Sequence, residues 1–369
     1  MVFTRNMKRK AEASEAPSKM GANEPVNILT PRRKLKFDED LASAPEFKAN
    51  REIHTLGDLI KVIQQWKKTR NDYVTKQVSF TEIEYDNLIL ILPHLKKLNK
   101  MVGMMELKRS IVKQMLYFVQ KFNGNEMMNI VLVGNPGTGK TTVAELLGKI
   151  YSELSIVSGP FKKVGRAELV GKYCGHTAIK TQNLLNSCKG GVIFIDEAYS
   201  LGSDQDDRDT FARECVTTLT KFLSENPDTI CILAGYEHEL RTKLFAHNTG
   251  LERRFPWWFK MDEYTSNELK DIFKYLIKQA KWKLKCDDEV LSSYFKHKEH
   301  FSNHGGDCQF FLNQCKIEHA NRIFGCSNEE KTKVRFKLSA IDLKYGYRAF
   351  LESKKKHIPQ NEYKSMMYI

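Results

Sequence analysis

The chain has 369 residues, 41% hydrophobic and 28% charged, with a formal net charge of +14 at pH 7. That length excludes a small stapled scaffold, and no stretch approaches the ~18 to 20 consecutive apolar residues of a membrane span, so neither a spanning protein nor a membrane partner is expected. Eight cysteines are scattered singly without a Cys-x-x-Cys pair, and no apolar core follows the basic amino terminus, so the expectation is an intracellular protein, cytoplasmic or nuclear, with reduced thiols and no secretory signal.

Residues 1–50 are rich in Ala, Ser, Pro, Asn and charge and lack periodicity, which predicts a disordered tail. Residues 1–36 carry nine Lys/Arg against three acids, +6 of the +14. The clusters Lys8-Arg9-Lys10 and Arg32-Arg33-Lys34 read as a nuclear import address, as an electrostatic tether to nucleic acid, or as a plain solvated tail. From Leu56 to Lys68 and from Tyr85 to Leu98 apolar residues recur at helical spacing, predicting a small helical pre-domain over 51–100. Residues 106–122 form an amphipathic helix with a natural stop at Asn123-Gly124.

Short apolar runs then alternate with helical segments. The predicted strands cover 128–133, 161–164, 191–195 and 229–234, and the predicted helices 140–154, 176–188, 209–225 and 237–246. Such alternation predicts βαβ units around a parallel sheet, here an α/β domain over 101–260. After Phe259 the pattern is helical only, over 265–281, 287–299, 306–324 and 339–353, so a helical domain is placed at 261–355 with a tail at 356–369.

The sharpest motif is Gly134-Asn135-Pro136-Gly137-Thr138-Gly139-Lys140-Thr141, which satisfies G-x-x-x-x-G-K-[ST] between an apolar strand and a helical run that opens with Thr142. The glycines let the backbone curl so that successive N–H groups face the phosphates of ATP. Lys140 adds a point charge to the β/γ oxygens, and the Thr141 hydroxyl binds Mg²⁺. Further on, Gly191-Val192-Ile193-Phe194-Ile195-Asp196-Glu197 is an apolar strand ending in two acids. Acids at the carboxyl end of a parallel strand project into the ligand crevice, Asp196 toward the Mg²⁺ shell and Glu197 toward the attacking water. A kinase-type P-loop enzyme does not need the second acid, so water is the expected acceptor.

Five segments together resemble the CbxX/CfqX-type AAA+ ATPases, which include red-type Rubisco activases. They are the glycine loop, Gly171-Lys172-Tyr173-Cys174-Gly175, Phe194-Ile195-Asp196-Glu197-Ala198-Tyr199, Leu233-Ala234-Gly235-Tyr236, and Asn248-Thr249-Gly250-Leu251-Glu252-Arg253-Arg254-Phe255-Pro256. The resemblance covers about residues 100–350, and the wording is close to versions encoded by large DNA viruses, which would place the protein in a host cell. It implies an AAA+ αβα sandwich followed by a small helical lid, assembled as a homo-hexameric ring with nucleotide between subunits. It also implies that Arg254 is the arginine finger, with Arg253 an adjacent candidate, and that Tyr173 lines a central pore and grips a polypeptide. Ordinary alternatives are a surface salt bridge for the arginine and a tyrosine packed back on the sheet.

Two segments depart from the wider class. The fourth strand closes with Ala234-Gly235-Tyr236 where a polar Asn or Thr usually senses the γ-phosphate, and Gly305-Gly306-Asp307-Cys308-Gln309 supplies no lid arginine. A possible zinc set, His304, Cys308, Cys315 and His319, falls largely on one helix face and lacks the two-pair loop geometry of a zinc site. The leading expectation is an ATP-driven remodeller of a protein substrate. A nucleic-acid-directed AAA+ motor or loader and a scaffold that binds ATP without turnover are the alternatives.

Overall fold

The computed structural model describes residues 52–74, 83–120, 122, 124, 126–171, 176–202, 210–246 and 248–356. The predicted tails, apart from Lys356, and the Lys172–Gly175 segment with Tyr173 lie outside them.

Five short strands form one parallel sheet in the order β2-β3-β4-β1-β5. They are β1 (Ile130–Val133), β2 (Phe161–Val164), β3 (Val192–Ile195), β4 (Ile230–Gly235) and β5 (Trp257–Lys260). Successive strand side chains point to opposite faces, and this alternation sorts the core into two layers. Ile130, Leu132, Phe194 and Ile232 enter one, while Val131, Val133, Ile195 and Leu233 enter the other. Strands covered on both faces read as continuous apolar runs, which is why β1, β3 and β4 are visible in the sequence.

Over the first face lie α1 (Leu56–Val74), α2 (Ile83–Lys100), α3 (Met105–Val119) and α4 (Lys140–Glu153). Leu59, Ile63, Ile91, Leu95, Ile111 and Leu147 join them to the sheet in a single apolar cluster. The second face is covered by α5 (Arg166–Leu169), α6 (His176–Asn186) and α7 (Thr210–Glu225), then by α8 (Glu237–Glu239) with a π-helical turn over Leu240–Phe245, and by α9 (Thr249–Glu252). Leu169, Leu185, Leu219, Phe222 and Phe245 fill that layer. Each fully buried Leu, Ile or Phe contributes about 1.5–3 kcal/mol, so the sheet is held from both sides.

Beyond β5 come α10 (Ser266–Gln279), α11 (Asp288–Phe295), α12 (Gly305–Ile323), α13 (Asn328–Val334) and α14 (Ala340–Lys356). Thr265 caps α10 reciprocally with Glu268, whose carboxylate accepts from the Thr265 N–H at 2.7 Å. Helices α12 and α14 touch so closely that a Cβ on Gly346 would lie 2.7 Å from Cys315. A buried carboxylate, Asp342, fixes this pair by accepting from Arg322 Nε at 2.7 Å and Ser339 Oγ at 2.8 Å, with His319 Nδ1 at 3.1 Å. The seven cysteines within the described residues are free thiols. No helix among the described residues is long and apolar enough to cross a membrane.

The structure corrects four expectations. Trp257–Lys260 is a fifth strand; it lies at a sheet edge with only Phe259 buried, so its pattern carries no clear period. The region after Phe259 is not purely helical, because Lys283–Lys285 (β6) and Lys337–Ser339 (β7) pair in parallel and α13 intervenes. The run 237–246 is one short helical turn followed by a π turn rather than a continuous α-helix. The helix predicted over 106–122 ends at Val119.

Candidate active site

The glycine loop leaves β1 at Val133 and enters α4 at Lys140. Its first residue is tied to the neighbouring strand, since Gly134 N donates to Gly235 O at 3.2 Å. Gly137 (φ +70) and Gly139 (φ +96) occupy the left-handed region that other residues avoid. Gly139 is the N-cap of α4 and gives no side-chain cap, so the first-turn N–H groups and the positive end of the helix dipole remain available to an anion. Thr138 is buried and holds the loop from inside: its hydroxyl donates to Asn135 O at 2.8 Å, and its carbonyl accepts from Tyr264 at 2.9 Å. Asn135 turns away to donate to Glu263 at 3.1 Å.

Pro136, Gly137, Gly139, Lys140, Thr141 and Thr142 form one wall of a cavity of 370 Å³. Asp196, Glu197 and Tyr199 form a second wall, with Gly235 and Tyr236 closing the end. Every acid and the lysine expected from the motifs therefore meet in one place. The Thr141 hydroxyl donates to Asp196 Oδ2 at 2.9 Å. Lys140 Nζ folds onto the loop, donating to Gly134 O at 2.7 Å and Asn135 O at 2.9 Å, and lies 5.5 Å from the Tyr236 ring centre. Burial lowers the Lys140 pKa, a shift opposed by the carboxylates of Asp196 and Glu197. Asp196 directly follows the fully buried β3, which delivers it to the cavity wall. Glu197, exposed and with φ 50, begins the 3₁₀ turn Ala198–Leu201.

Three cavity neighbours carry no sequence assignment. Lys163 Nζ, from β2, lies 3.1 Å from Asp196 Oδ2. Tyr199 and Tyr236 stack at 5.4 Å with 28° between their rings. Burial, reinforced by Glu197, pushes the Tyr199 pKa up to about 12, and the same causes raise that of Tyr236.

The C-terminal helices reach the loop without an arginine. Gly305 N, in the first turn of α12, donates to Gly137 O at 3.2 Å. His304 beside it is 3% exposed, packs edge-on to Tyr264, and has no partner on either ring nitrogen among the described residues. Of the other residues weighed for zinc, Cys308 donates to Leu269 O at 3.6 Å and His319 engages Asp342. No group of three metal-binding side chains occurs among the described residues.

Arg254 is not part of this cavity. Its carbonyl accepts from Asn129 Nδ2 at 2.8 Å, and Asn129 immediately precedes β1, whereas the glycine loop follows it. At ~3.3 Å per residue this places the Arg254 backbone about 16 Å from the loop. The guanidinium turns toward Ser224 Oγ, at 2.7 Å, and the Gly250 carbonyl, while Arg253 is exposed.

Sheet order, glycine loop and paired acids define an AAA+ P-loop protein, an ATP hydrolase. Residues 130–255 match the ATPase family associated with various cellular activities (AAA). The chain is 35% identical over 299 residues to a cfxQ-like protein of Acanthamoeba polyphaga mimivirus, covering 79% of this chain and 72% of that one. It is 39% identical over 210 residues to Stage V sporulation protein K of Bacillus subtilis, covering 52% and 64%. It is also 32% identical over 216 residues to the chloroplastic ribulose bisphosphate carboxylase/oxygenase activase of Cyanidioschyzon merolae, covering 57% and 73%. The chain belongs to the CbxX/CfxQ family of AAA+ ATPases.

Proposed function

We propose that the chain works as a homo-hexameric ring in which ATP hydrolysis at the Lys140–Glu197 cavity drives remodelling or threading of a protein substrate. The observation that carries this reading is the separation of Arg254 from its own glycine loop by the length of β1. An arginine so placed serves a nucleotide only by reaching a neighbouring subunit. The relative named as an activase acts on another protein, which supports a protein substrate here.

Within the cavity each residue has a distinct task. The loop backbone cradles the phosphates, and Lys140 exchanges the Gly134 and Asn135 carbonyls for the β/γ oxygens. Thr141 and Asp196 present hard oxygens 2.9 Å apart, a donor set that fits Mg²⁺, which supplies charge neutralisation at the β- and γ-phosphates when bound. Glu197 orients the attacking water and takes its proton. Arg254 of the adjacent subunit offsets the charge that develops as the terminal phosphoryl leaves. Tyr173, flanked in the sequence by Gly171 and Gly175, offers contact area to an extended chain in the ring pore.

The test is capture by Glu197→Gln. That protein is expected to bind ATP with turnover cut to a small residual rate, remain assembled and co-purify a polypeptide client. Recovery of nucleic acid alone, or a protein that stays monomeric with ATP bound, overturns the proposal.

A further inference from the structure

We propose that Tyr199 is a positioning residue for Glu197, held by Tyr236 and Gly235, and that this aromatic pair replaces the polar side chain missing from the end of β4. The inference rests on the assignment of Glu197 as the group that activates water.

Glu197 needs such help. It is exposed, it has three side-chain torsions, and nothing in a left-handed residue at the start of a 3₁₀ turn fixes its carboxylate. The turn carries Tyr199, two residues on, to the same cavity wall as Glu197. A phenol is protonated through the neutral range and is the hydroxyl donor that this wall offers to a carboxylate.

The ring that delivers the hydroxyl is itself fixed on both sides. One face stacks on Tyr236 at 5.4 Å. The ring edge rests on Gly235, where a Cβ would come within 2.9 Å of Tyr199 Cδ1, so only glycine admits the tyrosine at that position. Tyr236 is anchored next to Lys140, whose ammonium lies 5.5 Å from the ring centre. Glu197, Tyr199, Tyr236 and Lys140 thus form a continuous arc around the end of the cavity, beside the Thr141–Asp196 pair. Such an arc links the acid that handles water to the cation that binds phosphate, the coupling expected of a residue that reads the terminal phosphoryl group.

The experiment compares ATP turnover and nucleotide binding of Tyr199→Phe, Gly235→Ala, Glu197→Gln and the double variant Tyr199→Phe/Glu197→Gln. Tyr199→Phe keeps the stacked ring and loses the hydroxyl; kcat is expected to fall about tenfold to a hundredfold with KM for ATP and the Kd for a fluorescent ADP analogue unchanged. Gly235→Ala displaces the ring with its hydroxyl intact and is expected to lower kcat in the same way, which covers the case of a poorly folding Phe variant. In the Glu197→Gln background, Tyr199→Phe is expected to change nothing, since the two act as a unit. Wild-type kcat in Tyr199→Phe, or equal losses in the presence and absence of Glu197, overturns the positioning role. Full turnover by Glu197→Gln instead overturns the underlying assignment of the water-activating acid.

Discussion

The Gly305 N–H donates to the Gly137 carbonyl at 3.2 Å, so the first turn of α12 sits directly on the phosphate-binding loop. The contact exists because Gly137 has no side chain: a Cβ there would collide with the Asn303 carbonyl and come within 2.9 Å of Gly306 N. Gly137→Ala is expected to cost about 1–3 kcal/mol from its left-handed φ alone. It is also expected to loosen α12. Urea denaturation gives the first effect, and faster amide exchange at the start of α12 gives the second. Unchanged exchange there would show that the helix does not depend on the loop.

Arg254 predicts complementation between inactive subunits. Arg254→Ala is expected to keep nucleotide affinity and lose about a hundredfold or more in kcat, whereas Lys140→Met is expected to lose nucleotide binding. Mixing the two inactive proteins should restore part of the turnover, because mixed assemblies contain sites with one intact lysine and one intact neighbouring arginine. A mixture as inactive as its components rules out a shared site.

His304 predicts a pH dependence with a definite sign. Burial lowers its pKa from the usual 6.5, with Glu263 acting in the opposite direction. The folded state thus stays neutral while the unfolded chain takes up a proton. Fewer protons on the folded side mean that this contribution is full above about pH 6.5 and is lost as pH falls toward the depressed value. His304→Asn does not titrate. The difference in melting temperature between wild type and variant is expected to shrink or reverse between pH 7 and 5; parallel curves exclude His304 as the source.

Asp342 gives the complementary case. Burial alone would raise its pKa, but the hydrogen bonds from Arg322, the Ser339 backbone and hydroxyl, and His319 outweigh that and hold it at about 2. A folded value below the unfolded ~3.9 stabilises above about pH 4 and is lost as pH falls from 4 to 2. Asp342→Asn is expected to cost about 2–3 kcal/mol at pH 7, measured by denaturant unfolding, with the loss vanishing near pH 2. An unchanged midpoint at pH 7 would falsify the network's role in holding α12 to α14.

Legibility of the fold followed burial. Strands β1, β3 and β4 are wholly buried and stand out as apolar runs, whereas β5 exposes part of both Trp257 and Trp258 and hides its register at the sheet edge. The cavity was legible where local spacing dictates chemistry: the glycine loop, Lys140, Asp196 and Glu197 each follow from a strand end or a helix start. Tyr199 and Tyr236 lie on separate elements, and their pairing depends on the absent Cβ of Gly235, a relation that no short motif encodes. The junction at α12 was missed for a different reason. An arginine was the expected signal, and backbone atoms do the contacting instead.

Asn129 gives β1 a mechanical character. Its amide nitrogen grips the Arg254 carbonyl while its oxygen accepts from Cys231 N at 2.7 Å, and at the strand's other end Gly134 is pinned to Gly235. Hydrogen bonds thus tie both ends of this extended strand to its neighbours. In the proposed ring, β1 is the element that would join an Arg254 set against the nucleotide next door to the same subunit's own glycine loop.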